Sequence, residues 1–323
     1  MNGTSPRIEV AAAPPAGAEG SLPPAWLSLM YAPADDAGRV QDAAASGADA
    51  VILDLEDFVA AEAKAAARRG LRTAVARVRE AGADAVVRIN RRMDVAVADL
   101  DHAVGPDVAA IMVPKTLGAD HLRLLDEVLQ ALEAQRGLAR GRIRLIALVE
   151  TAAALARLGE ICAATPRLAA VGLGGEDIAR ECGMAAGAQT LQHPKQQMIF
   201  HAVAAGIVPL GYLSSVADYR GEAAFAEMAG ASRRFGFQAA TCLHAGQVAV
   251  VNRVYAPTPD EVRRAHALLA RHADLAPALQ PLPPDELAAD LRRARLALAR
   301  AGQAERRGRP LPSADISSPR PAP

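Results

Sequence analysis

The chain is poor in aromatic residues: one Trp, four Tyr and five Phe make up 3% of its 323 residues. That excludes a stacking platform for single-stranded nucleic acid, which needs aromatic faces at intervals. Charge of one sign is missing too, with 36 Lys and Arg against 36 Asp and Glu. A binder held to nucleic acid by bulk positive charge is excluded on that ground. No apolar run reaches the length of a membrane span. The start carries no basic stretch followed by an apolar core, so no secretory signal is read there and a cytoplasmic location is expected. Cys162, Cys182 and Cys242 are the only cysteines, with no close pair. They offer neither a zinc spacing nor a disulfide framework and read as reduced, mostly buried thiols.

What is present is apolar: hydrophobic residues make up 51% of the chain, enough for a sizeable core. The first 24 residues are rich in Ala, Pro and Gly without periodicity and read as a disordered leader. From Ala25 short apolar runs begin to alternate with helical patterns. Buried-strand patterns occur in the run from Trp26, at Ala50–Leu53, Ala85–Ile89, Ala109–Val113, Leu145–Val149, Leu168–Leu173, Ile207–Leu210 and Ala239–Leu243. Between them lie helical stretches such as Ala61–Ala81 and Asp120–Gln135, the latter with a stripe of Leu122, Leu125, Leu129 and Leu132. Regular alternation implies parallel strands joined by crossovers. Eight such units over roughly 230 residues predict an α/β fold of the (β/α)8 TIM-barrel type. An open doubly wound sheet would want a Gly-rich turn after the first strand, and Ala32–Asp36 does not supply one. The barrel is expected over 25–255, a helical extension over 256–302 and a disordered tail over 303–323.

Polar groups end most of these strands: Asp54, Glu56 and Asp57, then Arg88 and Asn90, Lys115, Glu150, Asp177 and His244. In a closed barrel the carboxyl ends of all strands share one face, where barrel enzymes carry their sites. Six strands ending this way predict a pocket. Glu150 and Asp177 follow neighbouring strands, with no cysteine or histidine pair beside them. Hard oxygen ligands with waters filling the remaining positions suit Mg²⁺. Arg88 and Lys115 add positive charge for a carboxylate or a developing enolate. Gly174 and Gly175 either permit a tight turn or let backbone N–H groups approach an anion. Other roles stand beside these. Asp54 reads equally as a structural carboxylate tied to Arg88 or Lys115, Glu56 and Asp57 as caps of the next helix, and His244 as a hydrogen-bonded histidine.

Six motifs in order, GADAVILDLED (Gly47–Asp57), VRIN (Val87–Asn90), IMVPK (Ile111–Lys115), ALVET (Ala147–Thr151), VGLGGEDIA (Val171–Ala179) and GFQAATCLHAGQV (Gly236–Val248), carry a resemblance. The sequence resembles the citrate lyase β-subunit-like branch of the HpcH/HpaI aldolase family, which includes malyl-CoA and citramalyl-CoA lyases. The resemblance implies a Mg²⁺-dependent carbon–carbon lyase that splits a 3-hydroxyacyl-CoA thioester into an acyl-CoA and a 2-keto acid. It implies Glu150 and Asp177 as metal ligands, Arg88 as the stabiliser of substrate oxygen charge, and Glu56 close to the metal waters as the candidate for proton transfer. Arg88, Lys115, Gly174 and Gly175 are expected to bind substrate. Trimers or hexamers are implied, with a C-terminal segment reaching a neighbour.

The chain departs from the family pattern where Arg-Ser before the first strand becomes Leu27-Ser28, and where the lysine before the eighth strand becomes Ala240. The aspartate after the seventh strand is missing at Leu210-Gly211-Tyr212, and no family tail motif follows Tyr255. Loss of substrate contacts at Leu27 and Ala240 is therefore expected. Two other functions stay open: an aldolase acting on free 2-keto acids without CoA, and a non-catalytic metal-binding barrel with a partner role.

Overall fold

The computed structural model describes residues 22–215, 219, 221–272 and 286–312. Eight parallel strands alternate with helices in a (β/α)8 barrel. The order is β1 (Ser28–Pro33), α1 (Ala37–Ala45), β2 (Ala50–Asp54), α2 (Lys64–Glu80), β3 (Asp84–Arg88), α3 (Met93–Ala103), β4 (Val108–Val113) and α4 (Ala119–Gln135). It continues with β5 (Arg144–Val149), α5 (Ala152–Leu155), α6 (Leu158–Cys162), β6 (Leu168–Leu173), α7 (Gly175–Glu181), α8 (Ala188–Ala204) and β7 (Val208–Leu210). The last elements are α9 (Glu222–Phe235), β8 (Ala240–Cys242), α10 (Ala245–Val254), α11 (Pro259–Arg271) and α12 (Glu286–Arg306).

The sheet runs β7-β6-β5-β4-β3-β2-β1-β8. Its two ends meet only through a bridge at Leu210 and Ala239, where Gly211 N donates to Ala239 O and Gln238 N to Pro209 O. Strand alternation sorts the side chains into two cores. Leu29, Ile52, Val86, Met112, Ile146 and Leu148 point into the barrel. Val51, Leu53, Val87, Ile111 and Ala147 point outward, against the helices. Asp36 caps α1 by accepting from Arg39 N, as its place before the helical pattern suggests.

Several boundaries differ from the sequence reading. The stretch after Val149 forms two short helices, α5 and α6. Helix α8 starts at Ala188 and carries Pro194 inside it. Cys162 and Cys242 are buried, whereas Cys182 is exposed. The expected leader falls largely on residues outside the described set, as does the tail beyond 312. The tail boundary at 303 is too early. Helix α12 runs to Arg306, and the Arg307 guanidinium donates to the carbonyls of Ala48, Asp49 and Gly82, while Arg309 pairs with Asp49. With Leu296 in the inner core beside Trp26, α12 lies across the amino-terminal end of its own barrel, the end away from the pocket described below.

Candidate active site

Register builds the mouth of the barrel. Asp54 and Arg88 are direct cross-strand partners at the ends of β2 and β3, both on the inward face. Arg88 Nε and Nη2 donate to the two Asp54 oxygens at 2.6 and 2.7 Å, a bidentate pair that is almost wholly buried. The guanidinium carbon also lies 5.0 Å from the centre of the Tyr31 ring and 5.1 Å from that of Phe58. Asp54 is thus the structural carboxylate of the two readings left open, and it further accepts from Glu56 N and Phe58 N, fixing the loop that follows β2.

That loop carries Glu56. Lys115 Nζ lies 2.6 Å from Glu56 Oε1 and 3.3 Å from Asp57 Oδ1. Lys115 adopts a left-handed backbone with φ 45°, a conformation a lysine holds only under constraint and one that gathers at functional sites. Glu56 Oε2 is buried without a hydrogen bond, 3.2 Å from Arg88 Nη1. Burial raises the Glu56 pKa, against the lowering effect of Lys115 and Arg88. Glu56 and Asp57 therefore pair with Lys115 and cap no helix.

Glu150 follows Ile146 and Leu148 on the inward face of β5, so alternation turns it into the barrel mouth. It is 6% exposed. Burial, and after it the charge of Glu56, push its pKa up to about 7, with Lys115 and Arg88 opposing. Gly174 N bonds Val149 O, which lays the turn after β6 directly beside it. A Cβ on Gly174 would stand 2.6 Å from Glu150 Cγ, and one on Gly175 would stand 2.6 Å from Leu191 Cδ1. These glycines are demanded by close packing, the first against the Glu150 side chain itself.

A cavity of about 240 Å³ opens here, lined among others by Tyr31, Arg88, Glu150, Gly174, Gly175 and Asp177. Of the groups expected to converge, these are brought together with Asp57, while Glu56 and Lys115 stand behind Arg88 and Asp57 and do not line it. Asn90 faces away, donating to Leu55 O and Asp99. His244 caps α10 in a reciprocal arrangement with Gln247 and is no base for this cavity.

Leu27 and Ala240 correct the reading of the departures. Both lie at the amino-terminal ends of their strands and pack outward against the helices, so neither reaches the pocket. Side chains there cannot touch a ligand in the mouth, and the substitutions remove no contact from it. Tyr212, which follows β7 where the aspartate is missing, does line the cavity, with its hydroxyl donating to Thr241 O. Sequence reasoning missed Lys195, a buried lysine of α8 that lines the same cavity. Its signal was its place on the helix: Leu191, Met198, Ile199 and Ala202 form the apolar stripe on which it sits.

Glu150 and Asp177 present hard oxygen donors to one space. Among the described residues no cluster of three or more acidic, histidine or cysteine ligands forms. Two carboxylates with waters completing the shell fit a small hard divalent cation. Two observations support the fit. Glu150 is desolvated to the point of holding its proton near pH 7, a condition a cation relieves. Among the described residues Asp177 forms an ion pair only with Arg180, whose side chain is largely in solvent and competes weakly.

A barrel whose mouth gathers carboxylates, a clamped arginine and a strained lysine has the build of an enzyme. The chain belongs to the HpcH/HpaI aldolase/citrate lyase family, whose profile matches residues 27–245, and it is a lyase of that type. L-malyl-CoA/beta-methylmalyl-CoA lyase of Rhodobacter capsulatus is 31% identical over 276 residues, which cover 77% of this chain and 86% of that protein. Citrate lyase subunit beta of Escherichia coli is 28% identical over 245 residues, covering 75% and 80%. Among solved structures, the protein CitE from Mycobacterium tuberculosis in complex with magnesium, acetoacetate and coenzyme A superimposes with a TM-score of 0.59 at 29% identity, covering 88% of this chain and 99% of that one. The citrate lyase beta subunit complexed with oxaloacetate and magnesium, also from Mycobacterium tuberculosis, gives 0.58 at 30% identity, covering 71% and 96%. No helix of the described residues is long and apolar enough to cross a membrane.

Proposed function

We propose that this protein is a Mg²⁺-dependent carbon–carbon lyase that splits a 3-hydroxyacyl-CoA thioester into an acyl-CoA and a 2-keto acid. The observation that carries the proposal is the pairing of Glu150 and Asp177 on one cavity beside Arg88. Relatives that act on CoA thioesters, and a structural neighbour that holds magnesium with coenzyme A, support it. Glu150 and Asp177 would hold the ion, which when bound supplies Lewis-acid polarisation of the substrate oxygens.

The remaining work falls to the chain. Arg88 has two nitrogens committed to Asp54 and its third, Nη1, 3.2 Å from Glu56 Oε2, so its orientation is fixed before substrate arrives, and the guanidinium edge that lines the cavity is the oxyanion donor. Glu56, with its raised proton affinity, stores the proton that the carbanionic carbon takes up or gives back. It stands outside the cavity lining, so a water relays that proton past Arg88. Lys115 holds the Glu56 carboxylate in place through Oε1. The cavity falls below the usual ~300–1,000 Å³ of a drug-sized ligand site, so it encloses the acid half while the CoA lies outside.

That small volume also favours a second reading, an aldolase acting on free 2-keto acids. Turnover of malyl-CoA, beta-methylmalyl-CoA and citryl-CoA against the aldol products of pyruvate, oxaloacetate and glyoxylate, each with Mg²⁺ and with EDTA, separates the two. Thioester cleavage that stops in EDTA is expected. Glu150→Ala and Asp177→Ala proteins that bind Mg²⁺ as tightly as the parent in calorimetry would refute the assignment of ligands.

A further inference from the structure

The cavity that Glu150 lines is also lined by Leu148, Lys195, Leu210, Tyr212 and Ser214. Lys195 sits one turn after Leu191 on the same face of α8, and Leu191 is the side chain that fills the space over Gly175. The lysine is 4% exposed. Its ammonium donates to the backbone oxygens of Leu213 at 2.7 Å and Ser214 at 3.2 Å. An ammonium has three donors, so one remains for the cavity.

Neutral carbonyls orient this charge without cancelling it. No carboxylate of a described residue forms an ion pair with Lys195, and Glu176, another group lining the cavity, acts on it only through its field. Buried charges in proteins are ordinarily paired or bound to a ligand of opposite sign. We infer that Lys195 is a specificity-determining residue whose ammonium receives a second carboxylate of the substrate, in the cavity that Glu150 and Asp177 also line. The 2-keto acid released then carries a second acid group besides the one at the proposed metal site. Burial lowers the Lys195 pKa to about 8, as it does for an ammonium without its counter-ion.

This inference rests on the proposed metal-assisted keto-acid site, and the experiment separates the two. Binding to the full-length protein in Mg²⁺ is measured by calorimetry for two matched pairs, oxaloacetate with 2-oxobutyrate and 2-oxoglutarate with 2-oxopentanoate. In the parent protein at least one diacid binds tenfold or more tightly than its methyl-ended partner. In Lys195→Met and Lys195→Gln that gap closes to within about threefold, Lys195→Arg keeps part of it, and the methyl-ended acids bind all four proteins within about twofold. A parent protein without diacid preference overturns the inference, as does a Lys195→Met protein that loses both members of a pair equally, which is the behaviour of a loop clamp. If the methyl-ended acids bind only with Mg²⁺ and only with Glu150 present, a failed diacid preference leaves the metal site standing. If no keto acid binds in Mg²⁺, the proposed function falls and the role of Lys195 falls with it.

Discussion

Replacing Asp54 by alanine is expected to cost a large part of the protein's stability, although Asp54 does not line the cavity. The Asp54 carboxylate is fully buried and meets Arg88 through two short hydrogen bonds. Removing one partner of a buried pair costs about 3–5 kcal/mol, because the other charge stays behind unpaired. Asp54 also accepts from Glu56 N and Phe58 N. Phe58 is half in solvent and its amide can rehydrate, whereas Glu56 is buried, which adds about 1 kcal/mol for one orphaned donor. The sum, about 4–6 kcal/mol, is a large part of the 5–15 kcal/mol that holds an ordinary domain together. Urea unfolding followed by circular dichroism measures it, and the thermal midpoint falls by roughly 10 °C. Asp54→Asn keeps the shape and one acceptor, and it is expected to lose about half as much. The decisive protein is Asp54→Ala with Arg88→Met: without the stranded guanidinium it is more stable than Asp54→Ala alone. An Asp54→Ala protein within about 1 kcal/mol of the parent, or a double variant that loses the sum of the two single losses, would refute the reasoning.

Three further outcomes follow from the same mouth. Glu150 holds its proton more tightly folded than unfolded, so metal-free protein loses stability as pH rises from about 4.5 to about 7; Glu150→Gln removes that share, and its advantage over the parent, measured in EDTA, grows across this window to about 3 kcal/mol. Gly174→Ala puts a methyl 2.6 Å from Glu150 Cγ and is expected to cost about 1–3 kcal/mol and weaken Mg²⁺ binding in calorimetry, whereas Gly70→Ala, on the open face of α2, gains up to about 1 kcal/mol. Lys115→Met removes the hydrogen bond that holds the Glu56 proton affinity down, so the acid limb of kcat/KM moves to higher pH; an unmoved limb rules Glu56 out as the proton-transfer group.

The barrel was legible because its strands are buried on both faces and therefore spell continuous apolar runs. Counting in twos from Ile146 also places Glu150 on the inner face without any structure. Position along the strand would have kept Leu27 and Ala240 out of the substrate argument. Each stands at the start of its strand, and a barrel carries its site at the other end. Proximity in sequence misled at Asn90, whose side chain donates to Leu55 O and Asp99 instead of turning inward, whereas His244 is the hydrogen-bonded histidine that its sequence reading allows. Lys195 escaped because attention to strand ends passes over helices, although a lysine on an apolar stripe is itself an anomaly. The reach of the segment just after α12 was hidden by its composition. Its arginines resemble a solvated tail until Asp49 and the carbonyls at the base of the barrel give them partners.

Asp49 also bears on the order in which the chain can become a barrel. Its carboxylate accepts from the amides of Leu27 and Ser28 and pairs with Arg309, and β1 takes β8 as its second neighbour. At a synthesis rate of ~5–20 residues per second, the first strand leaves the ribosome many seconds before the residues that complete its surroundings. Until then β1 has β2 on one side and an open edge on the other. The nascent chain is therefore a growing open sheet whose exposed edge is its oldest strand, and ring closure is among the last events of its birth.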